Sequence, residues 1–287
     1  MKHFMRRLVF VLAVTLSVVG LKQSVFAENL ITVDETTFPD KVLREAVLDE
    51  WKWVKQDYDD YDDEEDTESN NEDEESNQID ADLIKSIGVY GDSEVVTNLK
   101  GIELLKKLEI LDIGNYTGGK INLSKNTNLV RVYITSKKYT LSPNDFVSLP
   151  KLTSLKLGGK VVSTIEPSKL KKLESLSIIA KTGAKKVDIS KCSKLKEVVL
   201  NTNSLTNVNL GKSKELTYVH IQGAKKLTSV NVAKLTNINY LVVRDCNISK
   251  IDISKNNVNN SIIYKYFITL WRNYNTVLYT SGYPVIP

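Results

Sequence analysis

Residues able to carry out catalysis are few in this chain and lie far apart. The 287 residues include two histidines and two cysteines, and His220 is the only histidine beyond residue 27. Carboxylates of the central region, such as Asp112 and Glu197, stand singly, and no glycine-rich phosphate loop occurs. Nucleophilic, acid–base and Cys/His metal chemistry need such groups in pairs or clusters. The sequence therefore predicts a protein that is not an enzyme and that holds no cofactor or metal.

Aromatic and basic residues recur instead at a spacing that suits recognition. Tyr218 and Tyr240 are 22 residues apart, and each is followed within four residues by a basic residue. Tyrosine with arginine is typical of protein-binding hot spots and of sugar platforms, although tyrosine also suits any β-strand. These side chains act together only if a repeated element brings them to one face. The predicted partner-binding set is Tyr133, Lys156, Tyr218, His220, Tyr240 and Arg244.

A six-residue pattern supplies that repeated element. The order aliphatic-x-x-aliphatic-x-aliphatic returns seven times, with successive starts 21 to 23 residues apart. A fixed period in the low twenties is typical of a solenoid, in which each coil contributes a short strand and a return segment. The seven copies are Leu108/Leu111/Ile113, Leu129/Val132/Ile134, Leu152/Leu155/Leu157, Leu173/Leu176/Ile178, Leu195/Val198/Leu200, Leu216/Val219/Ile221 and Ile238/Leu241/Val243.

The coils must stack because one coil cannot hold its own shape. Burial of three aliphatic side chains contributes about 5 to 9 kcal/mol, whereas ordering about 22 residues costs on the order of 20 to 40 kcal/mol. Stacking places the first, fourth and sixth positions in shared internal columns and aligns the strands as a parallel sheet. The third, fifth and seventh positions then face outward, so Tyr218 and Tyr240 are predicted to stack about 4.8 Å apart.

A second motif lies behind five of these strands, and together the two motifs resemble the bacterial leucine-rich repeat family, most closely the secreted repeat proteins of Gram-positive bacteria. The family's asparagine after the strand is present here at Asn203 only. An asparagine ladder between loops is therefore not expected throughout. The copies of the second motif are Ile121–Asn126, Val187–Lys191, Val208–Lys212, Val230–Lys234 and Ile251–Asn256.

The resemblance implies a leucine-rich repeat solenoid with a parallel β-sheet on its concave face and mostly short strands and loops on its convex side. It also implies a helical N-terminal cap and an α/β C-terminal cap. The implied role is non-catalytic binding of a macromolecular partner, a host or cell-surface protein, through the concave sheet. We expect a monomer.

Composition divides the chain into five parts. Residues 1–27 read as a secretory signal peptide, with basic residues before an apolar core and a small-residue cleavage site. Residues 28–56 are predicted to form the N-terminal cap, a helix in which Thr37 is the capping residue and Pro39 lies in the first turn. Residues 81–257 are predicted to form the solenoid, and residues 258–287 are predicted to form the C-terminal cap, with a helix and a strand.

No apolar run after the leader is long enough to span a membrane. We therefore expect a secreted protein, released or held loosely at the cell wall by charge.

The acidic segment 57–80 contains 14 Asp or Glu and no Lys or Arg, whereas the chain from Ala81 onward has 31 Lys or Arg against 14 Asp or Glu. So acidic a segment is predicted to be disordered. Relatives often carry a calcium loop here, but Tyr61 and Asp62 occupy places that need a ligand and a glycine. The remaining alternative is that the acidic segment folds back onto the basic solenoid and screens its positive charge.

The basic solenoid leads to an alternative function, the electrostatic binding of an anionic cell-wall or glycan polymer. The competing interpretation is that lysine pairs at loop corners protect the sheet from aggregation. Those pairs are Lys106–Lys107, Lys171–Lys172, Lys185–Lys186 and Lys225–Lys226.

Two cysteines in an exported protein suggest a disulfide. The repeat places Cys192 and Cys246 two to three strand spacings apart, on the order of 10 to 14 Å, beyond the roughly 7 Å reach of a bridge. We predict that both are small core residues.

Overall fold

The computed structural model describes residues 29–59, 77–91, 93–248, 250–252, 277–280 and 283–284. The predicted signal peptide lies outside these residues, as do most of the acidic segment and the helix of the predicted C-terminal cap.

One helix and sixteen strands make up the regular structure of the described residues. A 3-10 turn covers Ile102–Leu104 and another covers Pro143–Phe146. In chain order the elements are β1 (Leu30–Thr32), α1 (Lys41–Asp59), β2 (Gln78–Asp80), β3 (Ser86–Val89), β4 (Ile110–Tyr116), β5 (Arg131–Leu141), β6 (Ser154–Val161), β7 (Thr164–Ile165), β8 (Ser175–Thr182), β9 (Lys186–Asp188), β10 (Glu197–Thr202), β11 (Asn207–Asn209), β12 (Tyr218–Gln222), β13 (Tyr240–Arg244), β14 (Lys250–Asp252), β15 (Val277–Thr280) and β16 (Tyr283–Pro284).

The repeat strands form one parallel sheet of eight strands in the order β13-β12-β10-β8-β6-β5-β4-β3. All 21 aliphatic side chains of the seven copies are at most 5% exposed. Leu155, Leu176 and Val198 are register partners on three neighbouring strands and belong to one core cluster. Strand β3 adds an eighth coil whose apolar residues are also buried. The prediction of a leucine-rich repeat solenoid is confirmed.

The return side of the coils is held by short strands and side-chain turns. β7, β9 and β11 form a small parallel sheet behind the main one. At the second residue of four copies of the second motif, an Asn or Asp side chain accepts a hydrogen bond from the backbone N–H two residues further on, at 2.9 to 3.2 Å. Such turns stop a strand because the side chain replaces the next strand bond. Short strands and loops on the convex side are thereby confirmed. The turn residues are Asn122, Asp188, Asn209 and Asn231.

Helix α1 covers the first coil, but its cap differs from the predicted one. The helix begins at Lys41, and Oδ1 of Asp40 accepts a hydrogen bond from the Leu43 N–H at 2.9 Å. Asp40, not Thr37, is therefore the capping residue. The Thr37 hydroxyl is held elsewhere, since it donates to the Thr32 carbonyl at 2.6 Å. Along the helix Leu43 and Val47 are fully buried, as their spacing predicts.

The two ends of the acidic segment 57–80 belong to regular elements, which the prediction of disorder did not include. α1 continues to Asp59, and β2 (Gln78–Asp80) pairs antiparallel with β1. Ile79 is fully buried opposite Ile31, and Asp80 is 3% exposed and accepts a bond from the Asp82 N–H. A single well-placed aliphatic residue is enough to attach this end of the segment to the first coil.

Asn126 ties its coil to the preceding one. Its side chain is fully buried, and its amide nitrogen donates to the carbonyls of Ile102 and Leu105 at 2.6 and 3.0 Å. The same position, three residues before the first aliphatic residue of each repeat, is occupied in other coils by apolar residues such as Leu149, Leu170 and Cys192. One polar member is tolerated because its donors are satisfied.

Asn126→Ala is expected to lower the free energy of unfolding by about 1–3 kcal/mol, because it removes two buried hydrogen bonds and leaves a space. Urea unfolding followed by circular dichroism measures this. Asn128→Ala is the matched control, since Asn128 also donates to a carbonyl of the preceding coil, that of Lys106 at 2.9 Å, but at the surface. Equal losses in the two variants would contradict the assigned role of Asn126.

Candidate functional site

The surface that faces away from the core, called the concave face below, is made of the third, fifth and seventh positions of the repeat. Most of these side chains are partly exposed, and Ile179 is 39% exposed. Val242 is an exception to the predicted outward pattern, since it is only 6% exposed although it lies outside the core cluster. The concave face therefore offers its accessible side chains mainly from β4 to β12, with Tyr240 and Arg244 on β13.

Four predicted residues form one group, called the tyrosine patch: Tyr218, His220, Tyr240 and Arg244. Strands β12 and β13 pair in register, with Tyr218 opposite Tyr240 and Gln222 opposite Arg244. The two tyrosine rings are stacked, with their centroids 4.7 Å apart and their planes 8° from parallel. This distance is the strand spacing, as the repeat predicts.

Polar atoms of the tyrosine patch are held in place, and two of them have unused bonding capacity. The Arg244 guanidinium donates to the side-chain oxygen of Gln222. Nε2 of His220 and Nε of Arg244 are buried and have no hydrogen-bond partner among the described residues. Burial and the nearby Arg244 charge lower the pKa of His220 below its ordinary value, although its side-chain hydrogen bond with Gln222 acts in the opposite direction. At neutral pH His220 is therefore uncharged, and Arg244 carries the positive charge of the patch.

A second group, called the Asp112 cluster, lies near the N-terminal end of the face and consists of Tyr90, Asp112, Tyr133 and Lys156. The Lys156 ammonium lies 4.0 Å from the centroid of the Tyr133 ring, a cation–π contact. The Tyr90 hydroxyl donates to Oδ2 of Asp112 at 3.0 Å. Burial raises the pKa of Asp112, although the Tyr90 bond and the charges of Arg131 and Lys156 oppose the shift. Oδ1 of Asp112 is buried without a partner among the described residues.

The structure therefore divides the six predicted residues between two groups. Tyr133 on β5 and Tyr218 on β12 are four strand spacings apart, roughly 19 Å. Sequence reasoning did not select Tyr90 and Asp112. Asp112 is the fifth position of the repeat that starts at Leu108. Tyr90 is the seventh position of the irregular coil that contains β3. Extending the repeat pattern back by one coil would have placed Tyr90 beside Asp112 on the same face.

Strand β8 lies between the two groups. It contributes Ser175, Ser177 and the exposed Ile179 to the concave face, and Ser175 donates to a carboxylate oxygen of Glu197 on β10 at 3.3 Å. The two serines are smaller than the aromatic and basic side chains of the two groups.

The described residues contain no group of three or more His, Cys, Asp or Glu that could hold a metal ion. Both cysteines are buried and unbridged, as predicted. Burial, followed by the charge of Asp188, raises the pKa of Cys192 to about 11, which makes it a poor nucleophile and metal ligand. No described helix is long and apolar enough to cross a membrane.

Several solved structures are similar to this chain, all at low identity. Internalin C2 from Listeria monocytogenes is 18% identical, and the match covers 80% of this chain and 93% of that chain with a TM-score of 0.49. An internalin F structure from the same organism is 16% identical over 79% of this chain and 85% of that chain, with a TM-score of 0.40. A leucine-rich repeat protein of Leptospira interrogans is 21% identical over 58% of this chain and 45% of that chain, with a TM-score of 0.47. No protein-family model and no curated protein matches the chain. The leucine-rich repeat fold is thus assigned from the strand order and burial of this chain itself.

Proposed function

We propose that this chain is a non-catalytic binding module that recognises a protein partner through its concave face. The observation that carries the proposal is the tyrosine patch, in which two stacked rings stand beside an arginine and a neutral histidine on a rigid sheet. Rigid aromatic side chains bury much area with little loss of conformational entropy, which is why they dominate protein interfaces. The leader-like residues 1–27 support an exported protein whose partner is a host or cell-surface protein.

The ring geometry favours a protein over a sugar at the tyrosine patch. A sugar ring binds by lying flat on an aromatic face, but Tyr218 and Tyr240 cover one face of each other. Two parallel rings standing on a sheet turn their edges and hydroxyls outward. Such a surface suits polar groups and apolar side chains of a protein partner, which approach from above the sheet.

The two groups together match the footprint of one protein partner. The strands from β4 to β13 span six spacings, about 29 Å, and a standard interface on one partner covers a patch on the order of 30 Å across. The small side chains of Ser175 and Ser177 would leave room for a protruding segment of the partner. Asp112 and Arg244, one at each end, would orient that segment by their opposite charges.

The double variant Tyr218→Ala/Tyr240→Ala is expected to lose partner capture. Residues 28–287 are immobilised and exposed to labelled surface proteins of host cells and of bacteria, and each captured protein is identified and then titrated in purified form. Removal of the two rings should weaken its binding by about 30-fold or more, because hot-spot aromatic side chains contribute 2 kcal/mol or more.

Two controls make this result specific. Val147→Ala removes an exposed apolar side chain outside the concave face, 47% exposed, and should leave binding unchanged. Tyr218→Phe/Tyr240→Phe keeps the rings and removes only the hydroxyls, so it should have an intermediate effect. Unchanged binding of the alanine variant, with its fold intact, would reject the tyrosine patch as the site.

A further inference from the structure

The turns that follow the six concave strands β4, β5, β6, β8, β10 and β12 form a surface, called the trailing edge, that carries lysines and no carboxylates. Its nine lysines are all exposed. The edge consists of residues 114–121, 135–141, 158–165, 179–187, 201–208 and 222–230, which contain no Asp or Glu, and its lysines are Lys120, Lys137, Lys138, Lys160, Lys181, Lys185, Lys186, Lys225 and Lys226.

The residues before each strand form the opposite side of the coils, called the leading edge. This edge also carries lysines, but it contains carboxylates as well. There lysines alternate with glutamates, and Lys196 forms an ion pair with Glu174 of the preceding coil at 2.7 Å. The Lys151 ammonium is also engaged, since it donates to the Asn128 side chain at 2.6 Å. Of the described coil lysines, only Lys196 forms an ion pair. Adjacent lysine pairs are thus divided between the edges, with Lys137–Lys138, Lys185–Lys186 and Lys225–Lys226 on the trailing one and Lys106–Lys107 and Lys171–Lys172 on the leading one.

Three trailing-edge lysines form a row across paired strands. Ser136, Gly159 and Ala180 are register partners on β5, β6 and β8. Lys137, Lys160 and Lys181 each follow one of them and are exposed. The pairing shifts directly after these partners, and Lys160 lies opposite Thr182, so the three lysines lie on neighbouring strands but not in exact register. Like charges on neighbouring strands oppose folding, and no carboxylate in these turns offsets them.

Protection of a sheet edge does not explain this row. Lysine guards strands whose backbone groups are unpaired, but β5, β6 and β8 each have a neighbour on both sides. The open edges of the sheet are β3 and β13. A row of lysines in the interior of the sheet thus has a cost to folding without a protective role.

Close contacts between coils keep the row in place. Gly159 has φ +77°, and an added Cβ would lie 2.2 Å from the Ser136 carbonyl oxygen. Gly183 has φ +91°, and its added Cβ would lie 1.8 Å from the Val161 carbonyl oxygen. The buried Ser136 hydroxyl accepts the Tyr139 N–H at 2.9 Å and turns the chain just after Lys137. The backbone that carries these lysines is therefore held in close contact with the neighbouring coils.

We propose that Lys137, Lys160 and Lys181, flanked by Lys138, Lys185 and Lys186, form a binding site for a linear polyanion that carries phosphate or sulfate groups. Closely spaced ammonium groups without counter-charges gain most from a ligand whose own anionic groups are spaced along a chain. Binding releases the counterions of both partners, so the affinity falls steeply with salt. The site is separate from the concave face and does not depend on the protein partner proposed above.

The test is charge reversal of the row against charge reversal of an equivalent column on the leading edge. Lys137→Glu/Lys160→Glu/Lys181→Glu is compared with Lys169→Glu/Lys191→Glu/Lys212→Glu, a column of exposed lysines four residues before three successive repeats. Both variants change the net charge equally. Labelled heparin of defined size and linear polyphosphate serve as the sulfate and phosphate probes, with anisotropy measured at about 0.05 to 0.2 M NaCl.

We expect the trailing-edge variant to bind about 10-fold or more weakly and its salt slope to fall by about 2, because each lost phosphate contact removes about 0.7–0.9 from the slope. The leading-edge variant should change less than about 3-fold. Equal weakening of both variants would overturn the proposal and indicate that net charge alone controls binding. Failure of the wild type to bind either probe would also overturn it.

Tyr218→Ala/Tyr240→Ala should bind both probes normally, which separates this site from the concave one. Unchanged thermal melting of the variants confirms that they are folded.

Discussion

Asp40→Ala is expected to lower the free energy of unfolding of the N-terminal cap by about 3–5 kcal/mol, because hydrogen bonds to a buried charge are worth about 1.5–3 kcal/mol each. Asp40 is 6% exposed. One carboxylate oxygen caps α1 through the Leu43 N–H, and the other accepts the Thr97 N–H and hydroxyl, both at 2.7 Å, and the Asn98 N–H at 3.2 Å. The side chain thus joins the helix to the first coils.

The same residue makes the cap sensitive to acid. Burial alone would raise the pKa of Asp40, but the hydrogen bonds from Leu43, Thr97 and Asn98 together hold it below its ordinary value. A lowered folded-state pKa means that the unfolded chain binds the proton more tightly. Asp40 therefore contributes its stability above the unfolded pKa of about 3.9 and loses it as the pH falls through the folded pKa.

Urea unfolding at pH 7 and at pH 4 and below measures both effects, with tryptophan fluorescence reporting on buried Trp51 in α1. The difference in stability between wild type and Asp40→Ala should be large at pH 7 and shrink as the pH drops below about 4. Glu45→Gln is the control, since Glu45 lies exposed on the same helix with Lys41 as its ion-pair partner, and such pairs contribute at most about 0.5 kcal/mol. A pH-independent difference would contradict the role of the charge.

Leu176→Ala is expected to lower the free energy of unfolding by about 2–5 kcal/mol, the range for a fully buried leucine that leaves a cavity. Leu176 is fully buried on β8, with Leu155 and Val198 as its register partners in the neighbouring coils. Chemical unfolding followed by circular dichroism gives the value.

Ile179→Ala provides the matched comparison on the same strand. Ile179 is aliphatic like Leu176, but it occupies the seventh position and is 39% exposed on the concave face. Its truncation should change the free energy of unfolding by less than about 1 kcal/mol. If the two variants lost equal stability, the division of each strand into an inward and an outward set would be wrong.

The repeat could be predicted from sequence because its signal is local. Each copy needs only three aliphatic residues at fixed spacing. Leu155, Leu176 and Val198 occupy the same position of three successive repeats, and in the structure they are register partners on neighbouring strands. Parallel pairing at one strand per coil then follows from the period alone. The stack of Tyr218 on Tyr240 was predictable for the same reason.

Contacts between distant segments were not predictable in this way. Thr37 was the predicted cap, whereas Asp40 caps α1. Its bond to the Leu43 N–H is local, but the donors of Thr97 to its other oxygen lie 57 residues away. Ile79 likewise pairs with Ile31, although it lies near the end of a strongly acidic stretch. No local pattern links Asp40 to Thr97 or Ile79 to Ile31.

Spacing within a single coil was enough to predict the period, the inward set of aliphatic side chains and the row of outward side chains, because each of these depends on residues of that coil alone. The contacts between coils came from the folded chain: the two separate groups on the concave face, the link from Asp40 to Thr97, and the division of the lysines between two edges. They depend on strand pairing, which fixes every coil against its neighbours. Charges and rings 20 or more residues apart are thereby placed a few ångströms from one another or on opposite sides of the protein.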